Sequence, residues 1–140
     1  MIVVNADGAV MGRLATVLAK RLLEGETIVV INAENAIITG EKGVIENRFY
    51  DKRERGDRIK GPFYPRYPDM ILKRVVRGML PYKQSRGETA LKRLKVFMGD
   101  PDNLKEKAVK INAKTIEDIE SKYITIGDLS KSLGAKPRWE

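Results

Sequence analysis

Residues 1–32 read MIVVNADGAVMGRLATVLAKRLLEGETIVVIN, and their pattern decides the fold class. Ile2, Val3 and Val4 form a β-branched run ahead of a polar turn, which predicts a buried strand over 2–5. Leu14, Val17, Leu18, Arg21 and Leu22 then recur at helical spacing, with the stem of Arg21 able to lie along the core edge. That predicts a helix over 11–24, stopped at Gly25. TIVVIN at 27–32 is a second strand, too apolar for a sheet that is wet on one face. Two such strands joined by a helix predict a right-handed parallel unit and an α/β fold.

Further along, residues 33–40 are expected to form a short helical turn and a loop. VIENRFYDKR, 44–53, reads as a third strand running out into a charged segment. RGDRIKGPFYPRYP, 55–68, holds three of the six prolines and two glycines, which predicts an extended arm rather than a helix. Two helices follow. AVKIN at 108–112 and YITI at 123–126 read as strands, and GDLSKSLG at 127–134 as a short helix ended by Gly134. With no internal repeat and no linker-like composition, residues 1–140 are expected to form one α/β domain.

The chain has no Cys and no His. This removes disulfides, thiolate metal sites, the commonest general base and the commonest metal ligand. The N-terminus has no basic region before its apolar stretch, unlike a secretory signal, and no apolar run approaches the roughly 20 residues of a membrane span. GAVMG (8–12) and GEKG (40–43) lack phosphate-loop spacing. Asp7, in the first strand-to-helix turn, is expected to cap the helix or shape the turn. The reading is of a cytoplasmic, non-enzymatic protein with no cofactor, metal or small-molecule substrate.

Net charge is +8, and it is localised. Residues 48–95 hold 15 basic and 5 acidic side chains, against 4 and 6 in residues 1–47 and 8 and 8 in residues 96–140. Confinement of the excess to one segment points to a polyanion-binding face. The cations concerned are Arg48, Lys52, Arg53, Arg55, Arg58, Lys60, Arg66, Lys73, Arg74, Arg77, Lys83, Arg86, Lys92, Arg93 and Lys95.

Helical geometry sorts the core of this segment. Ile71, Leu72, Val75, Val76, Met79 and Leu80 share half of one helical circumference, Lys73, Arg74 and Arg77 share the other, and Gly78 lies at the seam. Pro81 ends that helix. Ser85 and Glu88 match a capping box opening a second helix. There Ala90, Leu91, Leu94, Phe97 and Met98 point inward while Lys92, Arg93 and Lys95 point outward. Lys83 and Arg86 flank its N-terminus, where free N–H groups attract anions. A membrane-bound helix would expose its apolar half; here those halves are needed for a core. Phe63, Tyr64 and Tyr67 in GPFYPRYP either stack on unpaired bases or pin the arm to its own domain.

MGRLATVLAKRLLEGETIVVINAENAIITG (11–40), GPFYPRYP (61–68) and VVRGMLPYKQSRGETALKRLKVFMGDP (75–101) together resemble the large-subunit ribosomal protein thirteen family, in its archaeal and eukaryotic branch. The resemblance covers about residues 1–134. It implies a three-layer α/β/α fold with a small, mostly parallel four-stranded sheet. It implies a structural role: binding and stabilising folded large-subunit rRNA during assembly, beside neighbouring ribosomal proteins. Arg66, Arg74, Arg77, Gly78, Lys83, Arg86, Gly87, Arg93 and Lys95 match the family's motif, as does Arg13 in its GRLA element. The family often carries His at Tyr64 and Arg at Met70, so no contact is carried over to those two positions. The alternatives are an mRNA-binding regulatory module acting away from the ribosome and a nucleotide-using α/β enzyme.

Overall fold

The computed structural model describes residues 1–56, 59, 61, 63–101, 103–109, 111 and 113–139. β1 (Ile2–Asn5) and β2 (Ile28–Ile31) pair in parallel, with α1 (Met11–Leu23) between them. α1 buries Met11, Leu14, Ala15, Leu18, Ala19 and Leu22, the spacing of one helical face. β2 is buried at every residue because it is covered from both sides. Ile28 and Val30 join Val4 and the α1 residues in the main core, while Val29 and Ile31 join Val3 beneath Phe97, Leu104 and Ala108. The apolar run is thus the signature of a central strand.

β4 (Leu94–Val96) lies on the other edge of β2, also parallel, so the sheet order is β1-β2-β4. Helices cover one face, and Phe97, Leu104 and Ala108, flanking a 3-10 turn at Lys105–Lys107, cover the other, an arrangement compatible with the three-layer expectation. The mostly parallel sheet is three-stranded rather than four-stranded. The remaining strands, β3 (Ile37–Thr39) and β5 (Tyr123–Thr125), form a separate antiparallel pair. β3 lies in the stretch expected to be a loop, just after the expected helical turn at Ala33–Asn35. α5 (Ile126–Ser132) follows β5, opened by the Thr125 hydroxyl accepting from the Asp128 N–H at 3.2 Å and finishing just before Gly134.

Three expectations are corrected. Residues 44–53 are not a strand but the body of α2 (Lys42–Glu54), whose buried residues are Ile45 and Phe49. These sit four apart on one helical face, and the polar residues between them offer no alternation for a sheet. The second basic helix, α4, spans only Ser85–Lys92. Leu94, Lys95 and Val96 leave it as β4 because "in, out, in" suits a strand as well as a helix, and β2 supplies the partner. Residues 108–112 form no strand among the described residues: Ala108 makes one isolated bridge to Val3, and the Val109 N–H donates to the Val3 carbonyl at 2.7 Å. Lys110 and Asn112 lie outside the described residues.

α3 (Pro68–Met79) packs across α1 and against β4. Pro68 occupies its first turn, where the missing N–H costs nothing. Ile71, Leu72 and Val76 are fully buried, each contributing roughly 1.5–3 kcal/mol of apolar burial as an upper estimate. That seating holds the outward side of α3 rigid.

Candidate nucleic-acid interface

The candidate interface centres on α3. Lys73, Arg74 and Arg77 leave its outward side half-buried, and each is held by a neighbour. The Lys73 ammonium donates to the Leu94 carbonyl of β4 at 3.1 Å. The guanidinium carbon of Arg74 lies 5.5 Å from the Tyr64 ring centre, and that of Arg77 4.3 Å from the Tyr82 ring centre. Both are within cation–π range. These cations are therefore pre-positioned, yet no carboxylate among the described residues pairs with them.

The arm runs alongside. Tyr64 meets Phe49 of α2 edge-on at 5.8 Å, and the Lys52 ammonium lies 4.9 Å from Phe49 and 5.4 Å from Tyr64. Burial pushes the Tyr64 phenol above its ordinary pKa, with the Arg74 cation pulling the other way. Tyr67 is flanked by Arg66 at 5.7 Å and Arg138 at 4.6 Å. Tyr64 and Tyr67 thus pin the arm to its own domain, while Phe63 is 65% exposed. A cleft of about 380 Å³ separates Phe63, Tyr64 and Pro65 from Lys73, Arg74 and Arg77. A second, also of about 380 Å³, shares Phe63, Tyr64, Pro65 and Met70 with the first and is lined as well by Arg53, Arg66 and Tyr67. Lys73 and Lys95 share a third cleft with Asp69.

Other predicted residues fall elsewhere. Arg48 and Arg55 are exposed on and just after α2, and Lys83 and Arg86 around the start of α4; none of the four lines these clefts. Arg53 donates to the Leu133 carbonyl at the end of α5, where a cation suits the helix C-terminus. Lys92 pairs with Glu88 at 3.5 Å, and Arg93 donates to the Thr89 carbonyl at 3.4 Å. Arg58 and Lys60 lie outside the described residues. The Ser85–Glu88 capping box is not formed: Gln84 is the N-cap, without a side-chain bond, and Ser85 is the first helical residue. Asp7 does not cap α1, whose N-cap is Val10; its backbone N–H donates to the Asn5 side chain at 3.0 Å.

The two glycines separate cleanly. A Cβ on Gly78 would meet nothing within 4 Å, so this helix surface is open. A Cβ on Gly87 would lie 2.0 Å from the Pro81 carbonyl oxygen. Gly87 is therefore required for α4 to rest on the turn that follows α3.

The family model for ribosomal protein L13 matches residues 1–103. The chain belongs to the ribosomal protein L13 family. L13 relatives include the large ribosomal subunit protein uL13 of Archaeoglobus fulgidus, 48% identical over 94% of this chain and 86% of its own. The Methanopyrus kandleri uL13 is 49% identical over the same shares, and that of Methanocaldococcus jannaschii 46% identical over 97% and 99%. This places the chain in the archaeal-type branch of the L13 family, a family of structural ribosomal proteins rather than enzymes. No helix among the described residues is long and apolar enough to cross a membrane.

Two features escaped the sequence reading. Arg138 reaches Tyr67 across the fold; its only local signal was the basic-aromatic KPRW at 136–139. Met70, 54% exposed, lines all three clefts. It lies one residue before the apolar side that the 71–80 spacing predicts, since α3 begins at Pro68.

Proposed function

We propose that the protein binds folded large-subunit rRNA through the arm, the outward side of α3 and the turn into α4, and stabilises that RNA during subunit assembly. The observation that carries this is the set of cations on α3: seated by a buried apolar face, held over tyrosines, and without carboxylate partners among the described residues. Phosphates supply the missing counter-charge. Recognition then rests on phosphate neutralisation and on shape, because rigidly seated cations fit the backbone of a folded RNA. Neighbouring large-subunit proteins are the other expected partners.

The test is binding to a large-subunit rRNA fragment as a function of salt. Affinity is expected to fall with a log–log slope of roughly 0.7–0.9 per phosphate contact. A flat response rules the proposal out. Co-sedimentation with large subunits after a high-salt wash separates a resident ribosomal role from action on other RNA.

A further inference from the structure

We propose that the cleft between the arm and α3 receives one unpaired nucleotide of the bound RNA, its base laid against Phe63 and Met70 and its flanking phosphates held by Arg74 and Arg77. This rests on the RNA-binding reading above and sharpens it from a charged face to a defined subsite.

Phosphate neutralisation explains the cations but not the apolar lining. The cleft presents Phe63, Pro65, Met70 and Leu91 beside its cations, and no carboxylate. Duplex RNA offers ribose and phosphate outward and keeps its bases stacked inside, so it has nothing to place in an apolar recess. An unstacked base has a flat apolar face and carries phosphates on either side. A cleft of about 380 Å³ suits one nucleotide and is far too small for a duplex. An apolar side chain from a neighbouring protein is the competing occupant. The rim of three cations favours a ligand that brings its own negative charge.

The arm's rings divide the same way. Tyr64 is engaged by Phe49, Lys52 and Arg74, and Tyr67 by Arg66 and Arg138. Phe63 has no such ring or cation contact among the described residues and is 65% exposed. One side of its ring is backed by the chain. Gly61 has φ +79°, and a Cβ there would lie 3.0 Å from the Phe63 ring, so the ring rests directly on glycine backbone. An exposed phenylalanine backed this way is a platform whose outer face meets no ring or cation among the described residues. Arg74 and Arg77, three apart on α3, stand side by side on the facing wall.

The experiment compares three probes on the 140-residue protein: a nine-nucleotide oligoadenylate, an abasic oligomer of equal length, and a blunt RNA duplex. Oligoadenylate is expected to bind roughly tenfold more tightly than the abasic oligomer, the scale of one base stacked on an aromatic ring. Phe63→Ala should erase that preference without changing duplex binding, and Phe63→Trp should restore it. Phe63→Leu, which keeps apolar bulk, guards against a folding artefact and should still lose most of the preference. Equal binding of oligoadenylate and abasic oligomer, or no effect of Phe63→Ala, overturns the subsite; if binding then stays salt-sensitive and weakened by Arg77→Glu, the RNA-binding reading survives and another occupant fills the cleft. Absence of salt-sensitive binding to every probe overturns both.

Discussion

α3 and α4 look alike in sequence, two basic amphipathic helices in a row, and the structure makes them opposites. α3 runs for 12 residues, buries Ile71, Leu72 and Val76, and turns out Arg74 and Arg77 without carboxylate partners among the described residues. α4 runs for eight; its Lys92 pairs with Glu88, Arg93 just beyond it donates to the Thr89 carbonyl, and Arg86 near its start is exposed. Gly78 on α3 stands open, whereas Gly87 on α4 is pressed onto Pro81. Equal charge density in sequence thus hides a difference in how the charge is held: on α3 it is seated over tyrosines with no carboxylate partner among the described residues.

The sharpest way to break this contrast is Gly87→Ala. The Pro81 carbonyl is backbone and cannot swing aside, so overpacking is expected to cost about 2 kcal/mol or more. That outweighs the roughly 0.5–1 kcal/mol an alanine normally gains inside a helix. Thermal melting reads it, and a melting temperature at or above that of the wild type would show that α4 does not rest on Pro81.

Next in size is a pair of charge reversals read by RNA affinity. Arg77→Glu is expected to weaken binding of an rRNA fragment by about tenfold and to lower the salt slope by roughly one contact, with the fold retained. Lys92→Glu should do much less, because Lys92 already faces Glu88. Equal losses would erase the distinction between the helices.

A smaller effect is expected for Gly78→Ala. With open space around the new methyl group, stability should rise by about 0.5–1 kcal/mol in denaturant titration. If RNA affinity drops at the same time, the RNA backbone passes close to this turn of α3.

The smallest concerns Tyr64. Its phenol is raised by burial, so the unfolded chain ionises first as pH climbs. Its contribution to stability is present below the ordinary tyrosine pKa and is lost as pH rises through the raised folded value. Tyr64→Phe should therefore make the loss of stability above about pH 10 shallower than in the wild type. Identical alkaline profiles would place the Tyr64 hydroxyl in water.

Much of this was legible beforehand where local pattern and tertiary demand coincide. Ile71, Leu72 and Val76 announce the buried side of α3 because helical spacing alone groups them. Residues 44–53 were misread because two buried residues, Ile45 and Phe49, leave a faint helical signal among polar neighbours. Leu94-Lys95-Val96 satisfied two periods at once, and three residues are too few to choose between them.

By itself the sequence determined the β1–α1–β2 unit, the confinement of positive charge to residues 48–95, the two sides of α3 and its stop at Pro81. Each follows from interactions within one element, where spacing equals geometry. Only the tertiary structure decided that β2 claims Leu94–Val96 as a partner, that Arg53 closes α5, and that Arg138 returns to Tyr67. It alone decided that Phe63 is the arm's open ring. Those outcomes depend on which residues distant in the chain arrive within a few ångströms, and no local period encodes that.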